Sequence, residues 1–174
     1  MAQERKGAAT FKGNPLTLIG AELRAGQPAP DFQLTANDLS TATLATSAGK
    51  TRLISIVPSL DTPVCDMQTR RFNQEAAKLP ADIVVLTVSM DLPFAQKRWC
   101  GAAGVDKITT VSDYKDHSFG PAYGVRIKEL GLLARSIFIV DPSNTIRYVE
   151  YVKEVTAHPN YDAALDALKV AVGK

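Results

Sequence analysis

The amino-acid sequence predicts an α/β fold in which a mixed central sheet is flanked by helices. Three long apolar segments are typical of buried strands, and helical segments follow the first two of them. A fourth strand-like segment comes soon after the third, and a last helical segment closes the pattern. Because strand–helix–strand connections are right-handed, the first two strands should be parallel, whereas the last two should form an antiparallel hairpin.

The N-terminal part of the chain has weaker strand signals. The segment "TFKGNPLTLIG" predicts a β-hairpin over about residues 10–20, with its turn at Gly13 and Asn14. Two prolines then interrupt the chain before a short strand predicted at 32–34. The segment "TATLATSAGKT" predicts a weak strand followed by a turn. No linker divides these segments from the rest, so a single domain is expected over residues 1–174.

The strongest strand signals lie in the central and C-terminal regions. Each is a run of mostly apolar residues of the length that buried strands have. The last two runs are separated by the turn sequence "DPSN". These strands are "RLISIV" (52–57), "DIVVLTVS" (82–89), "RSIFIVD" (135–141) and "TIRYVEYV" (145–152).

Three helices are predicted between and after these strands. The second covers 93–104, where Pro93 suits a first helical turn and Gly104 a stop. The third is the amphipathic segment 161–172. The first begins near Thr62, and its expected apolar stripe consists of Val64, Met67, Phe72, Ala76 and Leu79.

The composition excludes several classes of function. With 45% hydrophobic and 22% charged residues, the chain is typical of an ordinary globular protein. A net charge of +2 is too small to indicate a nucleic-acid or anionic-membrane partner. No apolar run is long enough to span a bilayer, and the N-terminal segment does not resemble a secretory signal, so a cytoplasmic location is expected.

One of the two cysteines stands where a strand meets a helix. Asp61 or Thr62 can cap that helix, and Pro63 suits its first position. Cys65 then falls in the first turn, where unsatisfied backbone N–H groups favour an anion. A reactive cysteine needs such an environment because its thiolate is the nucleophile.

A helix terminus is not sufficient to make a cysteine reactive. Lowering the pKa of a thiol from about 8.5 to about 6 requires roughly 3.4 kcal/mol, whereas a helix terminus gives about 0.3–1 kcal/mol. Arg70 and Arg71 lie about 140° and 240° around the helix from Cys65, so neither should face the sulfur. A catalytic interpretation therefore requires a cation from elsewhere in the chain, which spacing alone does not identify.

The residues by themselves leave other interpretations open. A free cysteine among apolar neighbours can be an inert core residue, and the same holds for Cys100 after Trp99. Arg135, at the start of a strand, can be an exposed strand-end charge. The two cysteines and two histidines lack the short ligand spacing of a zinc site. There is no C-x-x-C dithiol motif and no nucleotide-binding glycine motif.

The motifs around both cysteines resemble those of one enzyme family. Pro58, Thr62 and Cys65 match the P-x-x-x-T-x-x-C signature of peroxiredoxins. The segments "SLDTPVCDMQTRRFN" and "SMDLPFAQKRWC" are similar to those of the thiol peroxidase subfamily, the atypical two-cysteine peroxiredoxins. "PAPDFQL", "AYGV" and "GLLARSIFIVD" fit the same family, so the resemblance extends over nearly the whole chain.

This resemblance implies a thioredoxin-like fold and a role for five residues. Cys65 would be the peroxidatic cysteine and Cys100 the resolving cysteine, which form an intrachain disulfide. Thr62 would hydrogen bond to the sulfur and the peroxide, and Pro58 would shield the floor of the pocket. Arg135 would supply the missing cation.

The activity implied is a thiol-dependent peroxidase acting on hydrogen peroxide or organic hydroperoxides. The resemblance implies thioredoxin as the reductant and a homodimer as the assembly, with no metal, haem or flavin cofactor. Two alternatives share this sulfur chemistry: a redox sensor that passes oxidation to a partner, and a general disulfide oxidoreductase. The sequence does not define the preferred peroxide.

Overall fold

The computed structural model describes residues 2–172, which form two β-sheets with surrounding helices. Its strands are β1 (Glu4–Phe11), β2 (Asn14–Ile19), β3 (Leu34–Ala36), β4 (Thr41–Ala42), β5 (Thr51–Ile56), β6 (Ile83–Ser89), β7 (Thr109–Ser112), β8 (Arg126–Ile127), β9 (Ser136–Val140) and β10 (Ile146–Tyr151). Its helices are α1 (Pro63–Ala76), α2 (Pro93–Ala103), α3 (Phe119–Ala122) and α4 (Tyr161–Ala171), with a 3₁₀ turn at Leu44–Ser47.

The larger sheet has seven strands in the order β10-β9-β5-β6-β7-β3-β4. Strands β5, β6 and β7 are parallel, as the sequence predicted for the first two, and the outer strands pair antiparallel. Strand β5 is buried along its whole length, as expected when both faces of a sheet are covered. This mixed sheet with flanking helices is a thioredoxin-like fold, so the predicted fold class is confirmed.

Apolar cores lie on both faces of this sheet, because successive side chains of a strand point to opposite sides. On one face, Leu53 packs in a cluster with Phe72 of α1 and Leu168 of α4. The other face carries an aromatic cluster in which the rings of Phe119 and Tyr123 stack with their centroids 4.2 Å apart. Helix α1 therefore crosses the sheet with its N-terminus at the carboxyl end of β5.

The N-terminal hairpin is confirmed, but its predicted boundaries and turn were wrong. Strand β1 begins at Glu4 rather than near residue 10, and the turn is formed by Lys12 and Gly13. Both turn residues have positive φ, 49° and 83°, which a tight type I′ turn requires. A hairpin turn one residue later would change the register, and a one-residue slip turns inward side chains outward. The observed register buries Leu16 and Leu18.

Three further sequence predictions need correction. The strand expected at 32–34 is displaced to β3, because the backbone N–H of Phe32 bonds to the Asp31 side chain instead of a neighbouring strand. Strand β7 and the short elements α3 and β8 were not predicted, since two to four residues carry little periodicity. The predicted apolar stripe of α1 is partly wrong, because Met67 is 54% exposed. The buried face of α1 instead carries Cys65, Gln68, Thr69 and Phe72.

Candidate active site

Cys65 occupies the third position of α1 and is fully buried, with 0% of its surface exposed. Of the two N-cap candidates, Asp61 and Thr62, the helix uses Thr62, and Pro63 follows it at the first position, as predicted. The backbone N–H groups of Val64 and Cys65 have no acceptor within residues 2–172. They are the unsatisfied donors of a helix start, and they favour negative charge beside the sulfur.

Arg135, which lies immediately before β9, places its guanidinium beside Cys65. Its Nη2 donates to the Cys65 sulfur at 3.2 Å, across 70 positions of sequence. Arg135 is only 2% exposed, so it is not the exposed strand-end charge that was the alternative interpretation. Strand β9 pairs directly with β5, and this pairing brings Arg135 to the end of β5 where α1 begins.

Neutral groups fix the remaining donors of Arg135. Its Nη1 donates to Gln68 Oε1 at 2.8 Å, and its Nε donates to the backbone oxygen of Val155 at 3.0 Å. Gln68 in turn donates to Ser55 Oγ at 2.7 Å. Among the described residues, the Cys65 sulfur is therefore the one ionisable acceptor that this buried guanidinium contacts. A buried charge is costly unless it is paired, and negative charge that develops on the Cys65 sulfur would pair with this guanidinium.

The other arginines considered in the sequence face elsewhere, as predicted. Arg70 pairs with Asp66 at 2.8 Å and donates to the Ala103 carbonyl at the end of α2. Arg71 pairs with Glu75 on the outer surface of α1. Arg135 therefore forms the direct charge contact with Cys65.

Thr62 does not contact the sulfur through a hydrogen bond in this structure. Its hydroxyl donates to the Ser59 carbonyl at 2.9 Å and makes no capping bond to the helix. Pro58 is buried two residues after β5, in the loop that leads to Thr62. A cavity of about 300 Å³ lies beside this loop, lined by Leu60, Asp61, Thr62, Pro63, Asp66 and Trp99.

Cys100 lies on α2 and is half-buried. Its sulfur is 3.6 Å from Thr110 Oγ1 on β7. Burial raises the pKa of the Cys100 thiol. The two cysteines are both free thiols. Their sulfurs contact residues at β9 and β7, strands separated by three spacings of about 4.8 Å, or about 14 Å. The structure therefore brings Arg135 to Cys65 but leaves Cys100 against another strand.

Two residues that support the site were missed in the sequence. Gln68 lies three residues after Cys65 and thus on the same helix face, so a polar residue at that spacing was the available signal. Asp91 follows β6 and accepts hydrogen bonds from Ser59 Oγ and Leu60 N at 2.7 Å and 2.8 Å. Its position after a parallel strand was the corresponding signal, because loops at the carboxyl ends of parallel strands meet.

Comparisons with known proteins identify the family of this chain. The Redoxin family model matches residues 24–165. The thiol peroxidase of Halalkalibacterium halodurans is 58% identical over 163 residues, covering 94% of this chain and 98% of that protein. The thiol peroxidase of Bacillus subtilis is 56% identical over 163 residues, covering 94% of this chain and 97% of that protein. The crystal structure of a peroxiredoxin-like protein from Aquifex aeolicus is 38% identical, covers 97% of this chain and 99% of that chain, and has a TM-score of 0.89.

A thioredoxin-like sheet with a buried cysteine–arginine pair at a helix start defines a class of thiol-based redox proteins. The family model and the curated relatives identify the family within that class. The chain belongs to the Redoxin family, as a peroxiredoxin of the thiol peroxidase subfamily, and it is a thiol-dependent peroxidase. No helix within residues 2–172 has the length and apolar character needed to cross a membrane.

Proposed function

We propose that this peroxidase reduces hydrogen peroxide or organic hydroperoxides with Cys65 as its nucleophile, Cys100 as its resolving cysteine and thioredoxin as its reductant. The observation that carries the proposal is the 3.2 Å contact between Arg135 and the sulfur of Cys65, both of which are buried. This contact supplies the charge that a helix start alone cannot supply. The cavity beside Thr62 adjoins the first turn of α1, and a shift of that turn or of the loop before it would open the buried Cys65 sulfur to a small peroxide.

In the first step the Cys65 thiolate attacks the terminal oxygen of the peroxide. An S–O bond forms and the O–O bond breaks, so that alcohol or water leaves after taking up a proton. The N–H groups of Val64 and Cys65, together with Arg135, hold the developing negative charge. Thr62 joins them when its hydroxyl turns from Ser59 toward the peroxide. Cys65 ends this step as a sulfenic acid.

In the second step Cys100 condenses with the sulfenic acid to give an intrachain disulfide. A disulfide needs Cα atoms about 4.4–6.8 Å apart, and the two thiols now contact different strands. Local unwinding of the first turn of α1 and a shift of α2 would bring the sulfurs together, since few hydrogen bonds hold the start of a helix. Thioredoxin then reduces the disulfide by thiol–disulfide exchange.

The remaining parts of this proposal rest on family resemblance. The chain acts as a single domain over residues 1–174, in the cytoplasm, as a homodimer, and without a metal, haem or flavin cofactor. The exposed apolar side chains of Leu92 and Phe94, which are 51% and 65% exposed, support an assembly that covers the start of α2. Light scattering of the reduced protein tests the dimer, and a monomer at all concentrations would contradict it.

A coupled assay tests the proposed function. In the presence of thioredoxin, its reductase and NADPH, wild type should consume peroxide over many turnovers. Cys100→Ser should lose about a hundredfold or more of this turnover, because no disulfide forms for thioredoxin to reduce, yet it should still consume one equivalent of peroxide. Thr87→Val, a change at a buried hydroxyl without a hydrogen-bond partner in residues 2–172, is the matched control.

Each alternative gives a different result in that assay. A single turnover in wild type, followed by a mixed disulfide with one client protein, would indicate the redox sensor. Reduction of insulin disulfides without peroxide would indicate the general oxidoreductase. Undiminished turnover in Cys100→Ser would contradict the role of Cys100.

A further inference from the structure

The Cys100 thiol is held by a hydroxyl on the neighbouring strand. Its sulfur lies 3.6 Å from Thr110 Oγ1, and Thr110 is only 1% exposed. The backbone of α2 is fixed independently through Gln96, which donates to Ser89 Oγ at 3.0 Å and to the Val111 carbonyl at 2.9 Å. Because Gln96 already holds α2 in place, the contact with Thr110 positions the Cys100 thiol and is not needed to position the helix.

The Thr110 hydroxyl also bonds to Asn37. It donates to Asn37 Oδ1 at 3.1 Å. Strand pairing explains the contact: Thr35 pairs with Ser112 and Ala36 with Val111, so the continued register places Asn37 opposite Thr110. A hydroxyl has one proton to donate and two lone pairs. With its proton on Asn37, Thr110 can only accept from Cys100, which must then donate its S–H.

Charged side chains on the elements around Cys100 have other partners or lie exposed. Asp66 and Arg70 pair with each other, Asp106 pairs with Lys107, and Asp38 binds Ser40. Within residues 2–172 none of these charges is hydrogen bonded to the thiol. The charged groups on α1, on α2, after α2 and beside Asn37 are Asp66, Arg70, Lys97, Arg98, Asp106, Lys107 and Asp38.

We propose that Thr110 and Asn37 are positioning residues that keep Cys100 as a neutral thiol docked on β7 until Cys65 is oxidised. This inference rests on the proposed resolving role of Cys100. Burial raises the pKa of the Cys100 thiol, and a proton donated by Thr110 would lower it. The Thr110 hydroxyl donates its hydrogen bond to Asn37 and not to the sulfur. Asn37 therefore leaves burial as the effect that sets the pKa of Cys100.

The step delayed by docking of Cys100 on β7 is its reaction with the sulfenic acid of Cys65. The sulfur of Cys100 attacks the sulfenic sulfur of Cys65, so an S–S bond forms and the S–O bond breaks. The departing hydroxide leaves as water with the proton from the Cys100 thiol. The Cys100 sulfur is oxidised and the Cys65 sulfur is reduced. Docking as a neutral thiol also keeps Cys100 from reacting with peroxide itself, because thiols react far more slowly than thiolates.

The pH dependence of Cys100 alkylation tests the proposal. In a Cys65→Ser background Cys100 is the sole thiol, so its reaction rate with iodoacetamide reports its thiolate fraction. Asn37→Ala should free the Thr110 proton for the sulfur and raise the thiolate fraction about two- to tenfold below the midpoint pH. Thr110→Val removes only the acceptor of the S–H group and supplies no donor to the thiolate, so it should raise the fraction less. Adding Asn37→Ala to Thr110→Val should have no further effect.

A matched control lies on the adjacent strand. Thr87 pairs with Thr110 across the strands and is equally buried, and its side-chain hydroxyl has no hydrogen-bond partner within residues 2–172. Thr87→Val should leave the alkylation profile unchanged. An unchanged profile in Asn37→Ala, or a further shift when Asn37→Ala is added to Thr110→Val, would overturn the proposal.

A second measurement separates this inference from the proposed function. In the two-cysteine chain, Asn37→Ala should speed disulfide formation after one equivalent of peroxide but leave the first oxidation of Cys65 unchanged. A change in the first oxidation alone would contradict the positioning role. The alkylation assay needs no peroxidase activity, so a failure of the peroxidase proposal would show in peroxide consumption and not in the Cys100 profile.

Discussion

Cys65→Ser should abolish peroxide turnover, with a loss of at least about a thousandfold, while leaving the fold intact. The reason is chemical: a serine hydroxyl is not ionised at neutral pH and does not form a sulfenic acid. The substitution keeps the size of the side chain within the cluster formed by Val57, Leu60 and Trp99. Peroxide consumption at neutral pH, with circular dichroism as the check on folding, measures the effect.

The matched control for this variant is Cys100→Ser. It removes the other thiol but retains Cys65 beside Arg135, so it should keep the first reaction with one equivalent of peroxide. If a well-folded Cys65→Ser protein retained more than a small fraction of turnover, the nucleophile would have to be another group.

Arg135→Met should slow the reaction of Cys65 with peroxide by about 100- to 1000-fold. The substitution removes the buried positive charge at 3.2 Å from the sulfur and the donor that stabilises charge in the transition state. It also leaves the acceptor oxygens of Gln68 and Val155 without their donor. Reaction of Cys65 with an alkylating reagent at neutral pH should accordingly be slower, measured with Cys100 replaced by serine.

Two variants separate charge from geometry at this position. Arg135→Lys keeps a positive charge but cannot hold the sulfur, Gln68 and Val155 together, so its rate should lie between those of wild type and Arg135→Met. Arg24→Met removes an exposed arginine and should leave the rate unchanged. An unchanged alkylation profile in Arg135→Met would show that Arg135 does not stabilise the thiolate.

Local patterns predicted the junction that carries Cys65. The start of α1 was predicted from residues that are adjacent in the chain, namely the apolar run, the capping position of Thr62 and Pro63 after it. The structure shows the helix beginning there. The long strands were predicted for the same reason. Strand β7 and the start of β1 were not, because short or polar segments carry no clear periodicity.

The identity of the cation could not be derived from spacing. Arg135 reaches Cys65 across 70 positions because β9 lies beside β5, and strand order is a property of the whole fold. Family resemblance identified it where local patterns could not. Gln68 was missed because the inner face of α1 was expected to be apolar, whereas this face is polar where it covers Ser55 and Arg135. Met67 was wrongly expected on that inner face for the same reason.

Peptide mapping after one equivalent of peroxide tests whether Cys65 is oxidised first and is then captured by Cys100 of the same chain. Wild type should run as a monomer on a non-reducing denaturing gel and yield a disulfide-linked peptide pair containing Cys65 and Cys100. Cys100→Ser should instead show a sulfenic acid at Cys65. A disulfide-linked dimer, or an oxidised Cys100 with Cys65 still reduced, would contradict this order of oxidation and capture.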